Sequence, residues 1–517
     1  MKKNHFIFSI ITLVLLVVFI TSFNYFKTTN TYIEDNINNQ TKITKGISMN
    51  LEQTAGAGDY KTVTQSGWPT EGYKFNTELS RCENGSTLSW DDTKKVVVVS
   101  GNLSDKCYVY FDIITTPSIA NYCSSGTDLG TCVKNFGNQG AEISNIYIHN
   151  SSLTNGAGDN SYRFAGGDYQ LTGKAKSAGL KSLLTSLDDE SGEVMNDGIV
   201  KLFCAGEYSH PLLCDTTSGY YYTLQYDTTN TQYQTYKSAL EKAVSDGYLT
   251  KDNIKNFVCF GTNESPCPTD NLYRIIGVID GKVKLIKYDY STKEQLGERG
   301  DYAGSDSVSN LSFESMIYKG DLTTVDWYYW NNSTKTNTWS ESLLNKINLN
   351  TNFINNMDST WSSKIIVNRW WKVGGNTSAN ISQSLPSITY TNEITSPLEN
   401  TTYEAKIGLM YVSDFGFATS PSAWTTQMDN FNGHSPDGNM ISDTNWMYMG
   451  FDEWTITRNT INNKNVFIVQ NYFGLGDNSA NFQLVAVRPT FYLVSTTSYH
   501  VSYVSGTGTQ SDPIIIN

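Results

Sequence analysis

Eight cysteines constrain this chain more than any other feature of its sequence. Cys82, Cys107, Cys123, Cys132, Cys204, Cys214, Cys259 and Cys267 all fall in the first 267 of 517 residues. Their spacing groups them as 82–107, 123–132, 204–214 and 259–267, each pair closing a local loop. A zinc knuckle wants C-x(2–4)-C and a redox dithiol wants C-x-x-C. Neither spacing occurs. The pairs read as structural disulfides, with no metal and no cofactor, if the chain folds in an oxidising compartment.

The N-terminus supplies that compartment. Lys2 and Lys3 precede an uncharged apolar run from Phe6 to Phe23. A helix of that length spans a hydrocarbon core of about 30 Å, and the lysines hold its start in the cytoplasm. No A-x-A cleavage site follows the run. Residues 1–28 therefore read as an uncleaved signal-anchor, a single transmembrane helix in the cell membrane. Residues after about 24 are expected to be extracellular, with 29–50 as a polar stalk.

Net charge is −13, from 50 acidic and 37 basic residues. That balance argues against a nucleic-acid partner, which needs basic patches. Aromatic residues make up 13% of the chain, too many for disorder. With Thr and Val they favour strands, so the fold class is expected to be β-rich.

Residues 51–117 read as a small β-sandwich-like module stapled by Cys82–Cys107. Within it, 94–100 and 106–113 flank a turn and predict a hairpin. Residues 118–517 read as a large α+β domain with a partly helical insertion at about 170–255. "DNSYRFAG" (159–166) and "DNLYRIIG" (270–277) share D-N-x-Y-R-x-x-G, which suggests that both enter one sheet from equivalent positions. "YRIIGVIDGKVKLIKYDY" predicts a hairpin turning at Asp280-Gly281, a pair suited to type I′ geometry. The pattern predicts a helix over 339–357, with Leu343, Leu344 and Ile347 on one side. Strands are predicted over 363–371, 405–418 and 483–494.

Four stretches carry a resemblance: 83–112, 257–287, "WSESLLNKINLNTNF" (339–353) and "VAVRPTFYL" with "GTGTQSDPIII" (485–493, 506–516). In these the chain resembles a group of uncharacterised bacterial cell-surface proteins common in low-G+C gut bacteria. Many of that group carry a glutamate in a prepilin-like leader; this chain lacks it, which counts against pilus assembly. The C-terminal part is also similar, more distantly, to C-type-lectin-like domains. Gly416–Phe417, "DEWTIT" (452–457) and Val487–Arg488–Pro489 carry that likeness. It implies an α+β fold whose long loops do any binding.

Catalytic signatures do not emerge. His149, His210, His434 and His500 are scattered, with no H-E-x-x-H and no G-x-S-x-G. "DNFNGHSPDGNMISD" (429–443) is rich in Asx oxygens but lacks EF-hand spacing, so it reads as a turn-rich loop. Most tryptophans of such a chain belong in its core. Trp327, Trp330 and Trp446 stand in polar contexts and are the ligand-binding candidates, since aromatic faces stack on sugars and anchor interfaces. The sequence thus reads as a membrane-tethered extracellular binding or adhesion protein, contacting a glycan or a surface protein through aromatic and Asn/Asp-rich loops. The alternatives are an extracytoplasmic glycan hydrolase using a carboxylate pair, and a passive component of the cell envelope.

Overall fold

A computed structural model describes residues 46–517, except 53–57, 65–66, 70–72, 92–93, 103–104, 114–116, 169, 172–248, 251–252, 308–323, 368, 373–374, 377–384, 398–400, 429–444, 471–474 and 497–498. The expected membrane anchor, the helices expected in the insertion, the Cys204–Cys214 pair and the 429–443 loop lie outside the described residues. Among the described residues no helix is long and apolar enough to cross a membrane. The chain divides into two units, Met1–Thr116 and Pro117–Asn517.

Among its described residues the first unit holds seven strands: β1 (Ile47–Glu52), β2 (Tyr60–Val63), β3 (Tyr73–Phe75), β4 (Arg81–Cys82), β5 (Thr87–Asp91), β6 (Val96–Ser100) and β7 (Cys107–Ile113). The first begins inside the segment expected to be stalk. The expected hairpin between 94–100 and 106–113 does not form. Strand β6 pairs with β5, while β7 takes the middle of a second sheet, parallel to β1 and antiparallel to β3 and β4. Asp91 accepts from the Lys94 N–H and Lys95 adopts φ 54°, which closes the β5–β6 turn locally. The alternating Val109 and Phe111 of β7 go to the core, where Phe111 meets Trp90 edge-on at 5.6 Å across the two sheets. The Cys82–Cys107 disulfide joins β4 to β7. Closing its loop stabilises the module by about 3 kcal/mol in the chain-entropy account.

The second unit continues with β8 (Ile146–Ile148), β9 (Tyr162–Phe164), β10 (Gln170–Leu171), β11 (Leu249–Thr250), β12 (Phe257–Cys259), β13 (Leu272–Ile279) and β14 (Lys282–Lys287). Next come β15 (Tyr302–Ser307), β16 (Thr324–Tyr328), β17 (Arg369–Lys372), β18 (Thr402–Ala405), β19 (Ile407–Gly408) and β20 (Glu453–Arg458). Last are β21 (Asn465–Val469), β22 (Leu475–Ser479), β23 (Thr490–Tyr492), β24 (Tyr503–Ser505) and β25 (Ile514–Ile516). Its main sheet runs β19-β23-β14-β13-β12-β25-β24, with β9 and β8 added beside β13. The β10–β11 pair closes the base of the insertion.

The Asp280-Gly281 hairpin forms as read, with both turn residues at positive φ, 53° and 71°. The two D-N-x-Y-R segments do enter one sheet, but as antiparallel neighbours rather than at equivalent positions. Gly277, the last residue of the second, faces Arg163 of the first. The segment around Cys123 and Cys132, turn-rich in sequence, instead forms helix α1 (Leu129–Gly137), which lays Leu129, Cys132, Val133 and Phe136 into the core along one face. Asp128 caps it by accepting from the Thr131 N–H at 2.8 Å. Disulfides Cys123–Cys132 and Cys259–Cys267 are both present.

Other expected elements are rebuilt. Over Leu344–Phe353 the helix α2 is of π type. Its i→i+5 spacing puts Leu344 and Leu349 on the buried face and leaves Leu343 and Ile347 half-buried. The strand predicted over 405–418 stops at Gly408. Helix α4 (Val412–Ala418) replaces the rest, because Asp414 turns back to accept from the Tyr411 N–H at 2.9 Å. Helix α3 (Pro386–Tyr390) precedes it and continues as a π turn over Thr391–Thr395. The 483–494 strand shrinks to β23, since Leu484 has φ 68° and Pro489 has no N–H to donate. The 363–371 strand is reduced to β17.

Candidate functional site

Buried charge is the unusual feature of the second unit. Arg163, Arg274, Lys284 and Arg488 are all 2% exposed or less. A buried cation persists only with a partner, and each has one. Arg274 meets Asp168, Arg488 meets Glu453, and Arg163 and Lys284 share Asp414. The Arg488–Glu453 pair joins two of the short motifs behind the lectin-like resemblance and serves the core.

The Arg163–Lys284–Asp414 group differs in lining a cleft of about 470 Å³. Strand β13 gives its last residue Ile279, the turn gives Asp280, and β14 gives Lys284. Arg163 comes from β9, with Asp159 just before it. Tyr390 ends α3, Ile394 lies in its π extension, and Tyr411, Ser413 and Asp414 open α4. Lys372 of β17 and Tyr492 of β23 complete the wall.

The floor is a closed ion network. Lys284 Nζ lies 2.5 Å from Asp414 Oδ2, and Arg163 Nη1 lies 3.2 Å from Oδ1 of the same carboxylate. Arg163 Nη2 reaches Asp159 at 3.0 Å, and Tyr390 Oη donates to Asp159 at 2.8 Å. Burial would raise the Asp159 pKa, but the Arg163 guanidinium and the Ser161 and Tyr390 hydrogen bonds outweigh it. The carboxyl is held well below its usual range. Burial likewise opposes the Arg163 charge, and Asp159 and Asp414 overcome it. The Lys284 ammonium stands 4.6 Å from the Tyr411 ring centre and 5.5 Å from those of Trp371 and Tyr492. Two cations thus meet two carboxylates, and both acids are held by cations rather than presented as a free acid–base pair.

Behind the floor sits Glu393, 1% exposed. It accepts from Thr457 Oγ1 at 2.6 Å and from the Ser413 N–H at 3.2 Å. Burial pushes its pKa from the ordinary 4.5 up to about 7, with Asp414 adding to the rise and those hydrogen bonds opposing it. The folded state therefore binds the Glu393 proton more tightly than the unfolded chain. Its contribution to stability is complete below about pH 4.5 and is lost as pH rises through 7, by about 3 kcal/mol. His149, pushed down to about 3 by burial, acts in the opposite sense over part of that window. Comparison with Glu393→Gln isolates the glutamate. Urea melts from pH 5 to 8 are expected to show wild type losing stability relative to the variant. A constant difference between the two would contradict this assignment.

Of the three tryptophans named from sequence, two belong to the core. Trp330 and Trp446 are fully buried, and their indole N–H groups donate to the carbonyls of Thr455 and Phe164. A ligand cannot reach them in this fold. Trp327 lies half-buried on β16 and does not line the cleft. The polar flanks of Trp330 and Trp446 were misleading because backbone carbonyls distant in sequence satisfy their donors. The cleft residues escaped sequence reading, although charges inside apolar runs, Lys284 in "KVKLIK" and Asp414 in "GLMYVSDFGFA", were a usable signal. The chain matches no family model, no curated protein and no solved structure, so the chemistry of the cleft rests on its own residues.

Proposed function

We propose that the chain is a membrane-tethered extracellular binding protein that takes a small polar ligand, the terminus of a glycan, in the Lys284–Asp414 cleft. The observation that carries this reading is the union of tyrosine rings and paired charges in one concave space. Sugars present apolar C–H faces to rings and hydroxyls to fixed donors and acceptors. A cleft of about 470 Å³ lies in the range of small-ligand sites. The floor is preorganised by the Arg163–Asp159 ion pair and by Lys284 and Asp414 held against each other, so little ordering opposes binding. The exposed rim residues Asp280 and Lys372 supply charged hydrogen-bonding groups at the mouth. The tether is the apolar run at Phe6–Phe23.

A glycan array probed with the purified protein tests this. Lys372→Ala with Asp280→Gly, which keeps the positive φ of the turn, is expected to weaken any glycan hit about tenfold or more, the worth of one charged hydrogen bond. Both side chains are exposed, so folding should survive. Unchanged affinity in the double variant, or an array without hits, would count against the reading.

A further inference from the structure

The geometry points to a covalent cross-link in the floor of the cleft: an amide between Lys284 Nζ and Asp414 Cγ, made by the chain on itself. The two groups lie 130 residues apart in sequence and 2.5 Å apart in space, measured from Nζ to Oδ2. A carboxyl C–O bond adds about 1.2 Å at most, so Cγ lies within about 3.7 Å of the nitrogen. That is close to the spacing of a near-attack conformer, and fixed neighbours of this kind react at very high effective concentrations.

The surroundings suit condensation. Both side chains are nearly fully buried, 1% and 3% exposed, and the rings of Tyr411, Trp371 and Tyr492 stand around the nitrogen. Asp414 Oδ1 faces Arg163 Nη1, a fixed cation where negative charge develops as the nitrogen adds to Cγ.

The step balances without a co-reactant. Lys284 Nζ gives one proton to Asp414 Oδ2, and its lone pair then adds to Cγ. The negative charge gathers on Oδ1 beside Arg163. A second proton passes from Nζ to Oδ2, the Cγ–Oδ2 bond breaks, and one water leaves, which also removes the oxygen that accepts from the Tyr411 N–H. Nothing is oxidised or reduced. One cation and one anion vanish together, so Arg163 keeps Asp159 as its counter-ion and the buried charge stays balanced.

Mass spectrometry of the intact wild-type protein, reduced and denatured, reads the outcome directly and needs no ligand. The expected mass is one water below that of the same chain uncondensed. A tryptic digest is expected to yield a branched peptide joining Lys284 to Asp414, with no cleavage after Lys284. Lys284→Arg preserves the charge but offers no amine, and should run at its full sequence mass with linear peptides only. A wild-type protein at full mass, cleaved after Lys284, would overturn the proposal and leave an ordinary buried ion pair. This readout is independent of glycan binding, so either proposal can fail alone.

Discussion

Arg274→Met should destabilise the second unit by about 3–5 kcal/mol, the usual cost of stranding one member of a buried ion pair. Arg274 is fully buried on β13. Its guanidinium lies 4.2 Å from the Phe257 ring centre and 4.6 Å from that of Trp446. It donates to Asp168 through both terminal nitrogens, to Asn256 Oδ1 at 2.6 Å and to the carbonyls of Ile254 and Trp446. One side chain therefore ties the main sheet to segments 106 and 172 residues away. Methionine keeps much of the volume but leaves Asp168 charged, buried and unpaired. Denaturant melts check the magnitude. Adding Asp168→Leu should recover a good part of the loss, because two apolar partners replace a broken pair. A double variant as unstable as the single would show that the loss comes from packing instead.

Gly277→Ala is the second large effect. A Cβ there would lie 2.2 Å from the Tyr162 carbonyl oxygen and 3.1 Å from Arg163 Cα, both backbone. Backbone cannot step aside as a side-chain tip can. The strand β9 must move off β13, and Arg163 moves with it. The expected loss is about 3 kcal/mol or more, at the upper end of overpacking. Hydrogen exchange should show the amides of β9 losing protection first. Full stability in this variant would mean that β9 docks more loosely than the contacts imply.

How much was legible in the sequence followed the range of each interaction. The Asp280-Gly281 turn and three local disulfides were readable, since each depends on residues a few or a few tens of positions apart. The β5–β6 pairing was misread because two turns compete for β6, and only the core that Val109 and Phe111 enter decides between them. The helix α4 hides in an apolar run that reads equally well as strand, and a single Asp414 hydrogen bond tips it. The buried ion pairs join residues up to 251 positions apart. Sequence showed their charges stranded in apolar runs but could not say which would meet. For the same reason the polar flanks of Trp330 and Trp446 hide their burial, since the carbonyls of Thr455 and Phe164 that accept from them come from distant segments.

The parallel pairing of β1 with β7 has a mechanical consequence. Five residue pairs run from Ile47–Cys107 to Leu51–Phe111. Because the strands are parallel, the chain enters β1 at one end of this ladder and leaves β7 at the other. Tension applied through those two exits loads every rung at once in shear. An antiparallel pair held at adjacent ends would instead unzip rung by rung. The Cys82–Cys107 bond anchors the first residue of β7 covalently to β4, so slippage there must break the ladder rather than drag the strand free. Forced unfolding is set by the barrier to first rupture rather than by equilibrium stability. A module of this size can therefore carry load well beyond what its small core suggests.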